Sequence, residues 1–191
     1  MLLFALLSSA LVQAGPATTH APLTDPEAYA VIAAVISSES PATDARVKRL
    51  VIQNTTTTYN FGQCFPEGEP LRGEWKPVVD DYKQQNRSTW TLMAMFPLER
   101  PYDLVSKAEI MAPFKAAGIE GWDLFYKEHP DSGGYINVSA VGFDADKTRA
   151  MLYVGHSCGG LCGSGMYHFM EKVDRQWREA KLNISKCMWI S

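Results

Sequence analysis

The chain lacks a basic excess: 18 Lys and Arg stand against 21 Asp and Glu, for a formal net charge of -3 at pH 7. Nucleic-acid binders carry the opposite imbalance, because they neutralise phosphates, so that class is excluded. A hydrophobic run long enough to cross a bilayer is also missing. The longest covers residues 2–12, interrupted by Ser8 and Ser9, against the roughly 20 apolar residues of a spanning helix. Internal repeats are absent, and low complexity is confined to the Pro-, Thr- and Ala-rich residues 15–24. A large charge imbalance is missing too, and with 46% hydrophobic and 20% charged residues the chain is not a disordered one. At 191 residues it is long enough for one hydrophobic core and one domain.

The apolar run reads as an address. No Lys or Arg precedes it, only the α-amino group of Met1, but Val12-Gln13-Ala14 ends it with the small and medium residues that a signal peptidase reads. We expect a signal peptide over residues 1–14, a tether over 15–24 and a single domain over 25–191. The expected location is secreted or periplasmic, with no stable membrane span after cleavage.

Export bears on Cys64, Cys158, Cys162 and Cys187, since an oxidising compartment turns an even count into disulfides. Four cysteines allow three pairings. The glycine-rich loop holds Cys158 and Cys162 close enough for a local bridge, and that choice leaves Cys64 with Cys187.

Hydrophobic spacing predicts the elements. Asp25 caps a helix with Pro26 and Glu27 in its first turn, Tyr29, Ile32, Ala33 and Ile36 on one face, and Pro41 beyond its end. Val47 to Asn54 reads as a strand, residues 75–86 as an amphipathic helix with Asp80 and Asp81 facing water, and the surroundings of Trp90–Phe96 and Leu104–Phe114 as short strands. Trp122, Phe125 and Tyr126 mark a helix stopped at His129-Pro130. Tyr135 to Phe143 alternates, and Arg149 to Ser157 is a central strand whose Met151-Leu152-Tyr153-Val154 is apolar on both faces. Residues 166–184 satisfy both a hairpin across Asp174-Arg175-Gln176 and a helix. The expected fold class is α+β: N-terminal helices near 26–38 and 75–86 packed on one face of a mainly antiparallel C-terminal sheet, stabilised by disulfides.

Several patterns resemble reactive sites. Gly155-His156-Ser157-Cys158-Gly159 follows an apolar strand and fits the G-x-S-x-G nucleophile elbow of α/β-hydrolases. In that family an acid and then a histidine follow the serine along the chain, whereas here only His168 follows, with no Asp or Glu between. His156, Cys158, Cys162 and His168 have zinc-ligand chemistry, but export removes the free thiols, and three residues separate the cysteines where redox motifs use two. Asp144, Asp146 and Thr148 copy the start of a calcium loop, yet Arg149 and Gly155 stand where glycine and glutamate belong. Trp75 and Trp122 sit on apolar helix faces and read as core rather than as groove lining. Asn54, Asn86, Asn137 and Asn183 head N-x-[ST] sequons.

The segment from 122 to 191 resembles a group of uncharacterised secreted bacterial proteins. The resemblance is carried by Ser139-Ala140-Val141-Gly142-Phe143, by Cys158-Gly159-Gly160-Leu161-Cys162-Gly163 with Gly165 and Tyr167, by Trp177, and by the closing Trp189-Ile190-Ser191. It implies β-hairpins after the cysteine loop and an exported location. Similar sequences place glycine before the tryptophan of the last hairpin, where this chain has Asp174-Arg175-Gln176. The expected function is a non-catalytic, disulfide-stabilised module, without cofactor or bound metal, for a ligand or protein partner. The alternative is a serine hydrolase using Ser157, with His156 or His168 as base.

Overall fold

The computed structural model describes residues 20–39, 41–57, 59, 64, 73–182 and 187–191; the expected signal peptide and Asn183 lie outside them. Helix α1, Pro26–Ser38, begins where Asp25 accepts a hydrogen bond from the Glu27 amide at 3.1 Å, with proline in the first turn. Residues 20–24 of the expected tether lie against a neighbouring segment: the Leu23 amide donates to the Thr91 carbonyl, and the Thr91 amide to that of Ala21.

The remaining helices are α2 (Lys76–Gln85, led in by a 3-10 turn over Gly73–Trp75), α3 (Lys107–Ala117) and α4 (Gly121–Glu128). The strands are β1 (Leu50–Gln53), β2 (Tyr102–Val105), β3 (Tyr135–Val138), β4 (Gly142–Phe143), β5 (Arg149–Gly159), β6 (Cys162–Val173), β7 (Gln176–Glu179) and β8 (Trp189–Ile190). They form one sheet in the order β2-β1-β3-β5-β6-β7, with β4 added to β5 and β8 to β6.

The class is α+β, but two finer expectations need correction. The sheet is mixed rather than mainly antiparallel, because β1 pairs in parallel with both β2 and β3. The helices are neither confined to the N-terminal part nor gathered on one face. Leu152 and Val154 pack with α1, whereas Met151 and Tyr153 pack with Val78, Val79 and Tyr82 of α2. In β1, Leu50 and Ile52 join the α1 side while Val51 packs with Ile110 of α3 and Phe125 of α4. Alternation along each strand therefore feeds two apolar layers, which is the physical meaning of a β5 apolar on both faces.

Leu104–Phe114 divides between β2 and α3. A capping box stops the strand: the Ser106 hydroxyl accepts from the Glu109 amide at 3.1 Å, and the Glu109 carboxylate accepts from the Ser106 amide at 3.0 Å. Around Trp90–Phe96 the pairing is limited to isolated bridges at Thr91. Residues 166–179 form the hairpin rather than the helix. Asp174 and Arg175 take φ of 51° and 64°, the left-handed pair a tight two-residue turn requires. Asp81 is not simply solvated, since its carboxylate accepts from the Phe143 amide at 2.8 Å and ties α2 to β4.

Candidate functional site

The four cysteines form two disulfides, Cys158–Cys162 across the tip of the β5–β6 hairpin and Cys64–Cys187 over a separation of 123 residues. The tip is where the sequence places its reactive patterns. Strand β5 runs through Ser157 to Gly159, with a register shift between those two residues, so no strand-to-helix elbow forms. Ser157 pairs with Tyr135, whose ring stacks on Trp122 of α4 at 6.0 Å.

His156 and His168 lie on the other face. They line a cavity of about 10 Å³ with Ser164, Glu39 and Met166, room for about one water. The His156 Nε2 lies 2.6 Å from the Gly133 carbonyl, and His168 Nδ1 lies 3.0 Å from the Glu179 carboxylate. Burial holds His156 below the usual histidine range, partly offset by that carbonyl and by the charge of Glu39. Neutral His156 donates Nε2–H to Gly133 and has Nδ1 left as acceptor. The structure thus does not bring Ser157 together with either histidine, and no base of the alternative hydrolase reaches it.

The other patterns resolve into structural roles. The two thiols of the zinc pattern are bonded to each other, and among the described residues no cluster of three metal-ligating side chains occurs. Asp144 closes its own turn, accepting from the Thr148 amide at 2.7 Å, the Thr148 hydroxyl at 2.7 Å and the Arg149 amide at 3.0 Å. Those bonds hold its carboxyl below the usual range although burial opposes them. Asn86 spends its amide on the Tyr82 and Ala140 carbonyls and the Ala140 amide. Trp75 packs edge-on to Phe169 at 5.5 Å, and Trp122 against Phe114 at 4.9 Å.

The structure adds a cleft that sequence reading missed. Its volume is about 520 Å³, and it opens between the end of α1 at Ser37, Ala42, the buried Leu50 at the start of β1, and the Pro97–Arg100 loop before β2. A volume of that order suits a small molecule. Arg100 joins the two loops: its Nη1 donates to the Asp44 carbonyl at 2.8 Å and to the Val47 carbonyl. The Leu50 amide donates to the Pro101 carbonyl at 2.9 Å, which fixes the base of the loop to β1. The one sequence signal was Pro97 and Pro101 bracketing three residues into a stiff loop.

Comparison with protein-family models, with curated proteins and with solved structures yields no match, so what the chain does is argued from its own residues.

Proposed function

We propose that the chain is an exported, non-catalytic, disulfide-stabilised binding module, and that it takes a small ligand in the cleft between Ser37, Ala42 and the Pro97–Arg100 loop. One observation carries this: about 520 Å³ of open cleft is walled by Leu98, Pro97 and Ala42 and bordered by a guanidinium fixed to two backbone carbonyls. A ligand site needs concave space of this order, some apolar contact and a few oriented polar groups; Leu98 and Pro97 supply the contact, while Arg100, Glu99 and Ser37 supply the polar groups. By contrast, the histidine cavity of about 10 Å³ is too small for a substrate.

Export is supported by the two disulfides, which persist in oxidising compartments, and by the apolar run that opens the sequence. No described helix is long and apolar enough to cross a membrane. Kinship with secreted bacterial proteins carrying the two-cysteine glycine loop belongs to the same proposal.

The test is an NMR screen of a small-fragment library against the labelled protein, repeated on Ser37→Trp, whose indole would fill the cleft from an exposed rim position. The expected result is fragment-induced shifts at Leu98 and Arg100 that disappear in Ser37→Trp. Shifts mapping to other surfaces, or unchanged by the indole, would overturn the assignment.

A further inference from the structure

Arg100 makes only part of the contacts a guanidinium can make. Its Nη1 is committed to the Asp44 and Val47 carbonyls, while Nε and Nη2 have no partner among the described residues. A guanidinium has five N–H donors in a planar fork, and the edge formed by Nε and Nη2 matches the two oxygens of a carboxylate. Binding through Nη1 removes much of the rotational freedom that a free arginine loses when it captures an anion, so this edge is pre-organised.

The neighbouring charges narrow the class. The Asp44 carboxylate is paired with Arg46, whose Nη2 lies 2.8 Å from Oδ2, and is also near enough to Arg100 for the two charges to interact. That hydrogen-bonded arginine draws the Asp44 carboxyl down to about 2, so it stays ionised at all ordinary pH values. Glu99 also lines the cleft. With two carboxylates beside one available guanidinium edge, a monoanion gains the fork while a dianion meets repulsion. Leu98, Pro97 and Ala42 would cover an apolar body behind the anionic head.

Resting on the small-ligand reading of the cleft, we propose that its ligand is an apolar monocarboxylate, with the carboxylate held by the Nε–Nη2 edge of Arg100 and the apolar part laid against Leu98 and Pro97.

The labelled full-length chain is titrated with N-acetyl-leucine, with its uncharged analogue N-acetyl-leucinamide, and with inorganic phosphate, reading the amide shifts of Leu98 and Arg100. The acid is expected to bind at least about tenfold tighter than the amide, as charge-assisted bidentate bonding implies, and tighter than phosphate. Ser37→Glu, which leaves Arg100 and its carbonyl partners in place and adds a negative charge at the exposed rim, should abolish the preference for acid over amide. Equal binding of acid and amide would overturn the carboxylate assignment and leave the cleft a site for neutral ligands. Phosphate binding as tight as the acid would overturn the restriction to monocarboxylates. Binding of none of the three at these residues would overturn the cleft itself.

Discussion

Gly155 and Gly165 sit directly opposite each other across β5 and β6, and the space their missing side chains leave is filled by the Tyr153 hydroxyl and the Trp189 indole. The indole Nε1 donates to that hydroxyl at 2.7 Å, and Tyr59 stacks on the Tyr153 ring at 5.0 Å. Burial, more than that hydrogen bond relieves, pushes the Tyr153 hydroxyl up to about 12. The first glycine of the apparent G-x-S-x-G pattern is therefore a packing requirement.

Gly165→Ala should accordingly destabilise the fold by about 1–3 kcal/mol, the usual range for overpacking, because its Cβ would collide with both groups. Urea denaturation followed by tryptophan fluorescence measures this. A stability equal to that of the parent chain would show that Trp189 is not held there.

The two disulfides should contribute unequally. On the chain-entropy argument, opening the long Cys64–Cys187 loop with paired serine substitutions costs about 5 kcal/mol, and opening the Cys158–Cys162 loop costs about 2 kcal/mol. Denaturation midpoints of the two double variants check the ranking, and a reversed order would contradict it.

Stability should respond to pH through His156. The unfolded imbalance is simple: near 6.5 the unfolded chain takes up a proton that the folded chain, with buried His156, accepts only at lower pH. Stability therefore falls as pH drops below about 6.5 and levels off below the lower folded value. His156→Gln, whose amide can still donate to Gly133, should remove this component from the pH profile. A profile unchanged by that substitution would refute the assignment.

Glu27 clamps α1 to the last hairpin, accepting from Lys172 Nζ at 2.8 Å and from the Trp177 indole. Burial raises its pKa, but the bonds from Lys172 and Trp177 outweigh burial and hold the carboxyl below its usual 4.5. Its contribution is thus complete above pH 4.5 and lost as pH falls through the lower folded value. Glu27→Ala should lower stability at neutral pH by about 1–2 kcal/mol, measured by denaturant titration, with a smaller difference from the parent at acid pH. An equal difference at both would show that the loss is packing alone.

Local signals were legible where one element declares itself. Asp25-Pro26 marked the start of α1, and the continuous apolar run Met151–Val154 of β5 marked a strand covered on both faces. The layer arrangement was not, because β1 is four buried residues whose parallel partners, Tyr102–Val105 and Tyr135–Val138, are set by contacts far away in sequence. Ser106 and Glu109 did contain the α3 start signal, hidden inside an apolar run that also reads as strand. The candidate chemistry at 155–168 looked dense because adjacent residues in sequence point to opposite faces of a strand, which separates His156 from Ser157. Arg100 had no motif to mark it, since its partners are backbone carbonyls of Asp44 and Val47, which any residue supplies.

The Arg100 side-chain Nε–Hε resonance, followed during addition of N-acetyl-leucine, reports on the cleft at the atom that matters. It should move saturably, while the methyl groups of exposed Leu161 at the hairpin tip and of exposed Ile119 beside Gly160 stay where they are. Movement of the Leu161 and Ile119 methyls with a stationary Arg100 signal would place binding at the disulfide-bridged tip and contradict the cleft.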